Sequence, residues 1–136
     1  MDREELEKRL DATKDFLEQL YMLHRMLKRG SGPMAGMIFT VSYADKLNAR
    51  IRQLKAPFRK YGKSEISDSK GDTVISSKEI VFLKELLPYD SQHVFNYATL
   101  KENILEVLPV YENLIEKTEI IRDELLLLKG KAETSN

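Results

Sequence analysis

The oxygen donors with the most metal-like spacing in the chain run from Asp68 to Glu79. Read as a twelve-residue calcium loop, they put Asp68 first, Asp72 fifth, the Val74 carbonyl seventh, Ser76 ninth and Glu79 twelfth. Calcium asks for such a set, hard oxygens closed by a carboxylate that can bind through both atoms. Two residues oppose it. Lys70 sets a cation where the third ligand belongs, and Thr73 replaces the glycine that the sharp turn needs. A capping box, Ser76-Ser77-Lys78-Glu79, accounts for Glu79 more simply, as the opening of a helix. The expectation is no metal and no cofactor.

A second chemistry is suggested by charge. The chain is neutral overall, with 22 basic and 22 acidic residues, yet the charges are sorted along it. Between Gly30 and Ser64 seven bases face a single acid, Asp45; from Glu65 onward fourteen acids outnumber eight bases. Arg52, Lys55, Arg59 and Lys63 fall at steps of three and four, one stripe of a helix, with Lys46 and Arg50 on the other flank. Such a stripe can track a phosphate backbone. It can equally face the acids of the last helix, Glu112, Glu116 and Glu119, or simply be solvated. No aromatic platform joins it.

Other chemistries lack their residues. There is no cysteine, which removes disulfides, thiolate zinc sites, iron–sulfur clusters and a cysteine nucleophile. Of the two histidines, His24 sits at a core-facing step and asks for a partner, while His93 falls in a connector. The glutamate pairs Glu102/Glu106 and Glu112/Glu116 lack the Glu-x-x-His of a di-iron bundle. No phosphate loop, dinucleotide fingerprint or nucleophile elbow is present. The residues do not point to an enzyme.

The elements that must position these groups are helical. At 136 residues, a single domain buries roughly two thirds of its unfolded surface. In residues 1–29, Leu6, Leu10, Thr13, Leu17, Leu20, His24 and Leu27 alternate steps of four and three, and Phe16, Met22, Leu23 and Met26 widen the stripe. Gly30-Ser31-Gly32-Pro33 should end that helix with a left-handed glycine cap. Two readings of those residues stay open: an ordinary loop, or a linker tying a partner's helix to a chain that starts near Met34.

A second helix is expected from Ser42 to Tyr61, carried by Ala44, Leu47, Ile51, Leu54 and Phe58, with a break near Ala56 where Pro57 follows. Residues 62–76 read as a polar loop or as a small β-hairpin of Glu65–Ser67 with Thr73–Ile75. A short apolar helix should start at Ser76 or Ser77 and stop at Pro88. The last helix keeps the four–three alternation from Leu100 to Leu128, bent by Pro109, and residues 129–136 read as a frayed tail.

Four such segments predict an all-α, four-helix-type bundle with antiparallel neighbours, packed at roughly 20°. Residues 1–29 carry no apolar signal region and the longest apolar run is Leu125–Leu128, so an intracellular, cytoplasmic chain is the expectation, with the nucleus open and no membrane partner. The functional expectation is an interaction or assembly module. An amphipathic helix bearing Phe16, Leu20, Leu23 and Leu27 would seat in a groove bearing Ile51, Leu54, Leu114 and Ile121. The partner would be another protein or a second copy. The alternative is a small nucleic-acid-binding bundle using Arg52, Lys55, Arg59 and Lys63.

Overall fold

The computed structural model describes residues 2–32, 41–55, 65–67, 73–76 and 97–134. Its framework is helical. Helix α1 spans Arg3–Ser31, α2 spans Val41–Arg52 and continues into a 3-10 turn at Gln53–Lys55, and α3 spans Tyr97–Thr134. Strands β1 (Glu65–Ser67) and β2 (Thr73–Ser76) pair antiparallel, Ile66 opposite Ile75, with a bulge between Ile66 and Ser67. The hairpin option for residues 62–76 is therefore the one realised. The apolar segment after Ser76, the calcium-loop acids Asp68, Asp72 and Glu79, and His93 lie outside the described residues.

Helix α1 begins one residue after a cap that its sequence spells out. The Asp2 carboxylate accepts the Glu5 backbone N–H at 2.7 Å, and Glu4 and Glu5 sit at the positive end of the helix dipole. The far end differs from the sequence expectation in two ways. The helix passes through Gly30, which is buried, and stops at Ser31. Its cap, Gly32, is extended (φ −82°, ψ −179°) rather than left-handed, while its N–H still donates to the Arg29 carbonyl. Pro33 supplies the reason. A residue before proline is sterically pushed out of the helical region toward extended backbone.

Helix α2 tightens into the 3-10 turn at Gln53–Lys55; the rest of the stretch expected to be helical to Tyr61, and the break expected near Ala56, lie outside the described residues. In α3 the helix continues past Pro109 without interruption and extends to Thr134, through most of the segment expected to fray. Lys131 in the last turn complements the helix dipole there.

The helices meet around one core. Tyr43 of α2 donates its hydroxyl to the Met26 carbonyl at 3.1 Å, and Arg50 lies against Met22, so α2 runs antiparallel to α1. Helix α3 also runs antiparallel to α1: Glu112 sits beside His24, and ten residues further on Arg122 reaches back to Tyr21. The core holds Leu6, Leu10, Phe16, Leu20, Leu23 and Leu27 from α1, Leu47, Ile51 and Leu54 around α2, and the α3 row from Ile104 to Leu125.

Pro109 is exposed, in the middle of α3, and leaves the Leu105 carbonyl without its intrahelical donor. Pro109→Ala should therefore raise stability by about 2 kcal/mol, measured by urea unfolding. A loss instead would mean that Val107 and Tyr111 reach the core only because proline shapes the helix beneath them.

Candidate functional site

The groove that receives α1 is built by two elements of unequal length. Along its first half α1 offers Leu6, Leu10, Thr13 and Leu17, all buried. Beyond Phe16 a second row, Phe16, Leu23 and Gly30, becomes buried as well, and here α2 adds Leu47, Ile51 and Leu54. A stripe that widens along a helix requires a second neighbour where it widens, and α2 is that neighbour.

The eight residues expected at the helix–groove contact are brought together. Phe16, Leu20, Leu23 and Leu27 are wholly buried, in one apolar cluster with Ile51, Leu54, Leu114 and Ile121. The cluster is larger than expected, since Leu6, Leu10, Leu47, Ile104, Val107, Tyr111 and Leu125 belong to it too. All of these lie on the three–four stripes of their helices, so the signal that found the eight also covers the rest.

Polar groups inside the groove are mostly satisfied locally. The Thr13 hydroxyl donates to the Arg9 carbonyl at 2.7 Å and the Thr118 hydroxyl to the Leu114 carbonyl at 2.6 Å. Both bonds run back to the carbonyl four residues earlier, as buried helical threonines do. At the rim, His24 Nε2 lies 3.2 Å from Glu112 Oε1, which gives the half-buried histidine its partner. Glu112 thus meets α1.

Tyr111 is an exception, as are Gln19 Oε1 and Glu124 Oε2. The tyrosine is fully buried, and among the described residues its hydroxyl has no hydrogen-bond partner. Burial holds its phenol far above the ordinary value of 10.0.

Of the basic stripe, Arg52 is exposed at the end of α2 and Lys55 lies in the 3-10 turn, while Arg59 and Lys63 lie outside the described residues. Lys46 and Arg50 stand on the side of α2 that faces α1. There, with Met22, Arg25, Met26 and Gln53, they line a cleft of about 580 Å³. Sequence spacing placed Lys46 and Arg50 on one flank, but Arg25 joins them only through the packing of α1. Helix α3 also carries Leu105, Ile120, Leu126 and Leu127 on exposed faces. Among the described residues no group of acids and histidines could hold a metal ion, and no helix is long and apolar enough to cross a membrane.

Comparison with protein-family models, with curated proteins and with solved structures finds no match for this chain.

Tyr111→Phe removes a buried hydroxyl that bonds to nothing, so at neutral pH it should leave the chain as stable or more stable by roughly 1 kcal/mol. The pH dependence has a definite sign. The folded chain keeps the phenol proton that the unfolded chain releases, so this group's contribution is intact below about pH 10 and falls as pH rises further. Urea titrations of both proteins between neutral and alkaline pH should show the wild type losing stability faster. Parallel curves would contradict the burial of this phenol.

Proposed function

We propose that the chain is a non-enzymatic protein-interaction or assembly module, in which an amphipathic helix, α1, seats in a helical groove. The observation that carries the reading is the complete burial of Phe16, Leu20, Leu23 and Leu27 in one cluster with Ile51, Leu54, Leu114 and Ile121. Anchors in this spacing against facing apolar helices are how helix-in-groove partners recognise one another. In this proposal the full domain is a four-helix-type bundle, completed by the apolar segment that ends at Pro88, and it works inside the cell. Its partner is another protein that supplies or competes for an α1-like helix.

The Gly30–Pro33 joint allows a direct test on the whole chain. A protease site placed there lets the folded protein be nicked, after which a labelled peptide of residues 1–29 is offered. The nicked pieces should stay together, and the labelled peptide should exchange into the groove. Leu20→Asp in that peptide should weaken exchange by at least about a hundredfold, because it forces an unpaired charge into an apolar site. Pieces that separate while residues 33–136 stay folded and monodisperse would overturn the proposal.

A second reading has one observation in its favour, the exposed Arg52 at the head of the basic stripe. It makes the chain a small nucleic-acid-binding bundle that uses Arg52, Lys55, Arg59 and Lys63. Oligonucleotide binding that falls steeply with salt would support it.

A further inference from the structure

The cleft between α1 and α2 is positively charged without a structural reason to be. Arg25, Lys46 and Arg50 line it, no acidic residue does, and none of the three makes an ion pair among the described residues. The Arg50 guanidinium rests on the Met22 sulfur at 4.0 Å, a weak acceptor that leaves its charge unanswered. Lys46 and Arg50 come from the basic stretch between Gly30 and Ser64, and the packing of α1 adds Arg25 to them. Between them lie Met22 and Met26, half-buried and polarisable, side chains that reshape themselves to apolar groups of many forms.

We propose that this cleft docks an acidic amphipathic segment of a protein partner, its apolar side chains on Met22 and Met26 and its carboxylates on Arg25, Lys46 and Arg50. The proposal extends the reading of the chain as an interaction module, and it needs α1 seated on α2, whether or not α1 can exchange.

Three features select this occupant. Arg25, Lys46 and Gln53 are exposed and the cleft is partly open to solvent along its length, which favours a strip of protein over a metabolite that needs enclosing. Lys46 and Gln53 are separated by two helical turns, about 10 Å, the length over which an incoming helix presents acids at positions i, i+4 and i+7. Among the described residues no aromatic side chain lines the cleft to stack a base, which disfavours a single-stranded nucleic acid.

The test uses the intact chain. The probe is a fluorescein-labelled helical peptide of about 14 residues, with glutamates at i, i+4 beside a leucine row. Two controls accompany it: the same peptide with every glutamate changed to glutamine, and a single-stranded oligonucleotide.

Fluorescence anisotropy should show saturable binding of the acidic peptide. Arg50→Glu and Lys46→Glu should each weaken it at least about tenfold, while Arg3→Glu, on the exposed first turn of α1, leaves it unchanged. Spectra of methyl-labelled methionine should show Met22 and Met26 shifting with the acidic peptide and not with its glutamine version. Lys46 is exposed, so its variant keeps the test valid even where Arg50→Glu harms folding. The proposal is overturned by any of four results: no binding, equal binding of the glutamine peptide, indifference to both reversals, or an oligonucleotide that binds through the same cations in the peptide's place. None of them bears on whether α1 exchanges after nicking, so the two proposals fail separately.

Discussion

Helices α1 and α3 bury rows of equal length against each other, Leu6 to Leu27 on one and Ile104 to Leu125 on the other, each three heptads long. That match sets the rest of the molecule. A helix with a four–three stripe cannot hide it alone, and stability comes from covering the stripe far more than from helix propensity. With each fully buried leucine contributing roughly 1.5–3 kcal/mol, the seam outweighs every surface ion pair the helices make. The pairs Arg3–Glu7 and Lys8–Glu4 are exposed and within a single helix, so they decorate α1 without placing it.

The asymmetry of α1 follows from the same arithmetic. Its first half faces α3 with a narrow row, while its second half adds Phe16 and Leu23 and needs α2. Helix α2 is short, ending at Arg52 ahead of Pro57, so it covers only that second half. Where its flank meets the flank of α1, two methionines and three cations are left around an open cleft. The cleft lies where those two flanks meet, and the charge within it is the part that packing does not explain.

Much of this was legible in the chain itself, because periodicity is a local signal. The stripes of α1 and α3, the buried anchors and the hairpin strands all follow from spacing that can be read over a few turns. The errors fall where one residue's conformation depends on its neighbour. Gly30 reads as a stop, yet the helix continues through it. Gly32 reads as a left-handed cap, yet Pro33 requires it extended. Asp2 and Glu5 form an N-terminal signal that spacing alone could have found, and it went unread beside the more conspicuous serines at 76 and 77. The cleft had only half a signal: Lys46 and Arg50 share a flank, but Arg25 is twenty-one residues away and joins them only once the helices pack. The orphaned hydroxyl of Tyr111 had none, since nothing in a sequence distinguishes a tyrosine that finds a partner from one that does not.

Thr13 and Thr118 turn their hydroxyls back onto their own helices. Neither reaches across, so among the described residues the interior of the seam has no polar pin against sliding one helix along the other by a heptad. In many paired helices a single buried amide performs that task. Here the obstacle to slippage inside the seam is bulk. The Tyr111 ring is the largest fully buried side chain among the described residues, and a slide would carry it toward a space shaped for an isoleucine or a threonine, Ile104 or Thr118. The alignment of the two long helices is keyed by shape, with one aromatic ring as the key's tallest tooth.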